Sequence, residues 1–280
     1  MMQILRCPVC QAQLIEETTS FRCSLNHVFD KSRSGYVNLL LPTRKHSKEP
    51  GDNKEMVKSR ADFLSRGHYA PIADLLSHAI KEHLMTLETI HIADIGCGNG
   101  YYLQHIKNSL LENKSLHYIG LDISKEAVNT AAKKIKAIQW LVSTCAELPF
   151  MTGSIQSLIS VFSPLNFTEF NRVLDDNGCL VIIAPSSQHL YELRSILFTD
   201  IKLIDDERIL QASQEMFNVA EKIPLHYKMN LTTRDEVANL FGMTPYYWRS
   251  TPEKKLAVLA LSELTLTVDV VCWVFKKKLS

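Results

Sequence analysis

The chain has 280 residues, 46% hydrophobic and 22% charged, with a formal net charge of +1. This length suits one large domain or a domain with a small appendage, and the composition suits a real core. No run of about 18 uncharged apolar residues occurs, which argues against a membrane span, and the start lacks an apolar signal core, so the cytoplasm is the expected compartment.

The seven cysteines are odd in number, with three near the start, and do not read as a disulfide framework. Cys7, Cys10, Cys23 and His27 follow C-x2-C-x12-C-x3-H. Two close pairs of soft or borderline ligands suit tetrahedral zinc, and a full set of four leaves no open position, so a structural site is expected. A redox Cys-x-x-Cys with His27 merely nearby is the alternative. Short strands are expected at 14–17 and 20–22. A module this small buries too little apolar surface to fold alone, so the metal would supply much of its folding free energy. Cys97, Cys145, Cys179 and Cys272 lie in the glycine loop or in or beside apolar runs and read as small hydrophobes.

Between 31 and 60 stand eight basic residues (Lys31, Arg33, Arg44, Lys45, Lys48, Lys54, Lys58, Arg60) against Glu49, Asp52 and Glu55. Such a stripe either grips a phosphate backbone or is a solvated linker and helix face. Pro50-Gly51-Asp52 punctuates it as a turn. Met56, Val57, Ala61, Phe63 and Leu64 then recur at helical spacing up to Gly67, and a second helix is expected over 72–87, near Pro71.

Strands are expected at 89–95, 116–121, 138–142, 155–161 and 179–184, with helices at about 100–112, 124–137 and 166–174, the second capped by Ser124. The alternation predicts a parallel sheet with right-handed crossovers. Apolar stretches at 256–263 and 266–275 read as a closing strand pair, the second buried on both faces.

The most informative segment is Ile92-Ala93-Asp94-Ile95-Gly96-Cys97-Gly98-Asn99-Gly100, followed by Gly120-Leu121-Asp122. An acid ends each of two apolar runs, and three glycines follow the first acid. Glycines permit a tight turn and close approach to a ligand, and the second acid can accept from ribose hydroxyls. The third glycine comes one position too early for the dinucleotide pattern G-x-G-x-x-G. A tight strand-to-helix loop without a ligand is the plainer reading. The spacing resembles motif I of S-adenosylmethionine-dependent methyltransferases. An acid or amide followed by two prolines and an aromatic, frequent in exocyclic-amine methyltransferases, is missing at Val161-Phe162-Ser163-Pro164.

Taken with Gly35-Tyr36-Val37-Asn38-Leu39-Leu40, Gly67-His68-Tyr69, His189-Leu190 and Met243-Thr244-Pro245, these pieces resemble the bacterial 23S rRNA (guanine-N1)-methyltransferases over nearly the whole chain. The resemblance implies an α/β, Rossmann-like S-adenosylmethionine-dependent methyltransferase domain with an N-terminal zinc-binding module. The expected division is 1–35 for that module, 36–88 for a basic connector with helices, and 89–280 for catalysis. It further implies one structural zinc per chain, a homodimer, and an rRNA hairpin loop as substrate. By motif, Tyr69, Asp94, Gly96, Gly98, Asn99 and His189 are expected at the cofactor, with Asp122 on its ribose. Ser163-Pro164-Leu165 departs from the family's Ala-Pro-Cys.

Guanine N1 must lose a proton, and no catalytic base is identified, although Asp52 and His68 are candidates by position. Tyr36, Phe162 and Tyr246-Tyr247-Trp248 are candidates to hold a flipped base, with core packing as the alternative for each. If the basic stripe binds RNA, Arg44→Ala with Lys45→Ala weakens that binding and flattens its salt dependence. Two other functions compete: a small-molecule methyltransferase, and a catalytically silent zinc-dependent RNA-binding protein. The first leaves the zinc module unexplained. The second leaves Asp94, Gly96, Gly98 and Asp122 without a purpose.

Overall fold

The computed structural model describes residues 4–44, 50–84, 89–110, 115–201 and 203–278. The N-terminal module is a three-stranded antiparallel sheet, β1 (Leu14–Glu16), β2 (Ser20–Cys23) and β3 (Val28–Asp30). Next comes β4 (Val37–Asn38), then helices α1 (Lys54–Ser65) and α2 (Ala70–Leu84). The nucleotide-fold alternation follows: β5 (Thr89–Ile95), α3 (Tyr101–Ser109), β6 (Ser115–Asp122), α4 (Lys125–Lys134), β7 (Gln139–Val142), β8 (Ile155–Val161), α5 (Phe167–Val173) and β9 (Leu174–Pro185). The C-terminal part holds α6 (Tyr191–Leu197), α7 (Glu207–Ser213), β10 (Phe217–Leu231), α8 (Arg234–Met243), α9 (Pro245–Arg249), α10 (Pro252–Leu259) and β11 (Leu264–Lys277).

The main sheet runs β10-β11-β9-β8-β5-β6-β7-β4. Every neighbouring pair from β9 to β4 is parallel, and β11 enters antiparallel between β9 and β10. The order reverses at β5, which has β6 on one side and β8 on the other. A crevice therefore opens beyond the carboxyl ends of β5, β6 and β8, where ligands of such sheets bind. The expected Rossmann-like α/β domain is what the sheet builds.

Local chemistry fixes the elements around this crevice. Ser124 caps α4, as expected, by accepting from the Ala127 N–H at 3.1 Å, and Asn53 caps α1 through the Met56 N–H at 3.0 Å. Each such cap is worth about 1 kcal/mol. Val268, Val270, Cys272 and Val274 of β11 pack into one apolar core and Val271, Trp273 and Phe275 into the other, which is why this strand lies inside the sheet.

Three expectations change. The stretch 256–263 is not a strand: Thr251 caps α10, Pro252 occupies its first turn, and the helix runs to Leu259. The hairpin partner of β11 is β10, a long edge strand that carries Pro224 and exposes most of its residues. Val37–Asn38, for which no strand is expected, pairs with β7 and extends the sheet by one edge strand. The expected ends of two helices, at 85–87 and 111–112, lie outside the described residues.

The N-terminal module shares a core with the sheet. Leu5, Leu14 and Phe21 pack in one apolar cluster with Ile95, Leu121, Leu148 and Phe150. Backbone hydrogen bonds join Arg6 N–H to the Pro149 carbonyl and Met151 N–H to the Ile4 carbonyl, at 2.9 and 2.8 Å.

Candidate active site

The four expected metal ligands converge, with ligand atoms all within 4.8 Å of one another. Cys10 Sγ lies 3.6 Å from Cys23 Sγ, and His27 Nδ1 lies 3.6 and 3.4 Å from the sulfurs of Cys7 and Cys23. Ligands at about 2.0–2.3 Å from a tetrahedral zinc stand about 3.5–3.8 Å apart, so the donor set fits the ion. Each pair sits on a tight turn that passes through a left-handed residue, Gln11 (φ 64°) or Asn26 (φ 60°). Burial works against the Cys23 thiolate, but hydrogen bonds from the His27 and Leu25 N–H groups prevail and hold this thiol down to about 6.

The crevice encloses a cavity of about 710 Å³. Its floor is the turn after β5. Gly96 and Gly100 have φ of 81° and 79°, and a Cβ on Gly96 would stand 2.5 Å from Ser163 Cβ. A Cβ on Gly100 would come within 2.4 Å of the Trp140 ring. Only glycine meets both demands. Asp122, at the end of β6, accepts from Gly98 N–H (2.9 Å) and Ser124 N–H (2.8 Å). One oxygen receives each bond, so each keeps a lone pair for a ligand. Burial raises the Asp122 carboxyl, and those two N–H bonds pull it back.

Asp94 is 1% exposed, and neither of its oxygens has a hydrogen-bond partner. Burial first, and the Asp122 charge second, push its carboxyl up to about 8. A buried carboxyl without a partner is costly unless a cation or donor arrives.

The other wall is aromatic. Phe162 follows β8 with φ of 52°, a left-handed conformation that costs a side chain of this kind energy and persists where function needs it. Its ring stacks on His189 (5.5 Å between centroids, 28°) and lies 6.1 Å from Tyr69. Burial lowers the His189 imidazole to about 4, so it is neutral at physiological pH. Its Nδ1 accepts from the Asp269 N–H at 3.3 Å, which assigns the remaining proton to Nε2. Tyr69 is buried, and burial raises its phenol. The α8–α9 junction closes the site with Met243, Thr244, Pro245 and Tyr246.

Tyr69, Gly96, Gly98, Asn99, Asp122 and His189 thus all line one cavity, and Asp94 lies buried beside it. Sequence reasoning missed Arg60 and Tyr102, which line it too. Of the two candidate bases only Asp52 is there. Its Oδ2 accepts from Arg60 Nη2 at 2.8 Å and Nε at 3.0 Å. His68 turns away to Glu236 at 3.0 Å. Tyr246 lines the cavity; Tyr36, Tyr247 and Trp248 do not.

The basic stripe is largely neutralised. Lys31 pairs with Glu16, Lys58 with Asp62, Arg60 with Asp52, and Arg44 with Glu147. Among the described residues of the stripe, the exposed Arg33 and Lys54 have no acid partner; Lys45 and Lys48 lie outside them.

Residues 5–48 match the zinc-ribbon family described as RlmA, N-terminal, and residues 92–178 match a methyltransferase-domain family. A Streptomyces fradiae 23S rRNA (guanine(748)-N(1))-methyltransferase is 31% identical over 270 residues, 94% of each chain. The chain belongs to the 23S rRNA (guanine-N1)-methyltransferase family. Two further members, from Bacillus subtilis (strain 168) and Micromonospora griseorubida, carry the 23S rRNA (guanine-N1)-methyltransferase name provisionally. They are 30% and 32% identical, over 95% of each chain. Among solved structures, the MccD protein superposes with a TM-score of 0.50 at 19% identity, covering 74% of this chain and 98% of that one, a likeness of fold alone.

Membership brings S-adenosylmethionine and zinc as cofactors. Both fit the residues present. The unpartnered Asp94 carboxyl suits a ligand that carries an ammonium and a sulfonium, and the glycine cradle leaves room where any side chain would collide.

Proposed function

We propose that this chain transfers the methyl group of S-adenosylmethionine to N1 of a guanine in a hairpin loop of 23S rRNA, acting as a homodimer in the cytoplasm. The observation that carries the reading is the end-to-end similarity to relatives of that name, which spans ribbon and catalytic domain together. Among the described residues no helix is long and apolar enough to cross a membrane.

When bound, the cofactor supplies an electrophilic methyl carbon. We assign its contacts to Tyr69, Asp94, Gly96, Gly98, Asn99, Asp122 and His189. Asp94 balances the ligand's positive charge. Asp122, already oriented by two N–H groups, offers its remaining lone pairs to ribose hydroxyls. Neutral His189 offers Nε2–H as a donor. Holding the acceptor nitrogen in line with the methyl is itself a large part of the rate. Phe162, 37% exposed and stacked from behind by His189, offers its free face to the guanine. Asp52 is the cavity carboxylate to receive the N1 proton, and its bond to Arg60 holds it in place.

The test is methyl transfer from labelled cofactor to unmodified 23S rRNA, with Asp52→Asn as a control. The wild type is expected to label the RNA. The variant is expected to keep cofactor affinity and to lose turnover, most severely at low pH. Equal turnover by Asp52→Asn would remove Asp52 from the reaction.

A further inference from the structure

The aromatic trio after Thr244 divides between two environments. Tyr246 lines the cavity, Tyr247 packs against Phe241 at 5.1 Å, and Trp248 points outward, 50% exposed. The rings of Tyr247 and Trp248 meet edge to face at 5.3 Å. Lys255, from α10, places its ammonium 4.4 Å from the Tyr247 centroid and 5.8 Å from that of Trp248. Arg249 is exposed beside them, and Glu253 is the one acid between Pro245 and Leu259. A half-exposed tryptophan among cations, continuous with the cavity wall, combines the two features that grip single-stranded nucleic acid: a flat face for a base and positive charge for its phosphate.

We propose that Trp248, with Lys255 and Arg249, forms a stacking platform outside the cavity mouth for an unpaired nucleotide next to the target guanine. This rests on the rRNA reading above. Tyr247 and Lys255 contact the indole, and its exposed half is the surface offered to a base. The partner is an unstacked nucleotide of an RNA loop, since a duplex has no exposed base face to offer. Arg249 and Lys255 are placed for its phosphates.

The indole also reports on itself. The chain has three tryptophans, and Trp140 and Trp273 are 1% and 2% exposed. Titration of the zinc-loaded 280-residue chain with a transcript of unmodified 23S rRNA, followed by tryptophan emission and by filter binding, tests the platform. Wild-type emission is expected to be quenched as RNA binds. Trp248→Phe is expected to abolish the quenching yet keep most of the affinity, and Trp248→Ala to weaken binding about five- to hundred-fold. Cofactor affinity, measured by calorimetry, should not move in either variant. Wild-type affinity in Trp248→Ala overturns the platform and leaves the rRNA reading standing. A change of sedimentation coefficient in Trp248→Ala also overturns it, because this face would then join two protein chains. No binding of rRNA by the wild type defeats the rRNA reading and the platform together.

Discussion

At Asp94 the sequence places an acid two residues before the first glycine, and the fold buries both of its oxygens without a partner. Its pKa, raised to about 8 against an ordinary 3.8, means that a proton is bound at neutral pH until a cation displaces it. Two results follow. Cofactor binding at pH 7 should release close to one proton, and affinity should rise with pH up to about 8 and then level off. Calorimetry in buffers of different ionisation enthalpy checks this; binding without proton release contradicts it. The folding sign is opposite: because the native state holds the proton more tightly, stability is full below about pH 4 and falls as pH rises toward 8. Asp94→Asn should therefore melt close to the wild type at pH 7 while its cofactor affinity falls about ten- to hundred-fold, the loss of a charge-assisted hydrogen bond.

The basic residues carry a second lesson at this scale. Composition alone shows an excess of positive charge between 31 and 60. It hides the acids that meet it, since Arg44 finds Glu147 and Lys31 finds Glu16 only in the folded chain. Arg44→Ala should change stability by no more than about 1 kcal/mol and leave RNA affinity nearly intact. Arg33→Ala with Lys54→Ala should lower the slope of log affinity against log salt by up to about two. Filter binding at several salt concentrations decides, and the reverse order of effects would restore Arg44 as an RNA contact.

Among the elements, those that build the site were legible. β5 and β8 run as read, because apolar runs ended by glycine or a turn leave little choice of boundary. β10 was hidden because its exposed edge position lets polar residues and Pro224 interrupt the apolar pattern. The strand expected at 256–263 rests on its apolar residues, although Thr251-Pro252 is a helix-start signal that outweighs them. β4 has only two residues and gains its stability from β7, a partner about a hundred positions away. No local signal could have announced it.

One inter-element link has a measurable consequence. Ile4 and Arg6 hold the loop at 147–151, and the same loop begins with Ser143, Thr144 and Cys145 at the cavity. The Arg6–Glu147 contact at 3.4 Å reinforces it. The ribbon therefore braces a wall of the cofactor cavity, and a zinc held by Cys7, Cys10, Cys23 and His27 would order the ribbon. Removing zinc with a chelator should weaken cofactor binding several-fold and open the 143–151 loop to proteolysis, with zinc restoring both. Unchanged affinity and protection after complete zinc release would show the ribbon to be independent of the cavity.

For the whole molecule, a zinc ribbon and a methyltransferase sheet form one packed body, with a crevice closed by the α8–α9 junction. The ribbon, the glycine turn and the two strand-end acids were legible because each is a local pattern with a strict chemical purpose. The grouping of Phe162 with Tyr69 and His189 was not, because those three come from distant parts of the chain. The homodimer predicts twice the chain mass by sedimentation equilibrium, and a monomer that methylates at the full rate would dispose of it. The most direct test remains the reaction: labelled S-adenosylmethionine, unmodified 23S rRNA, and primer extension across the product. A methyl on N1 blocks Watson–Crick pairing, so one enzyme-dependent stop at a single hairpin guanine is the predicted result. Measurable cofactor binding with no label entering rRNA or precursor particles would contradict the account.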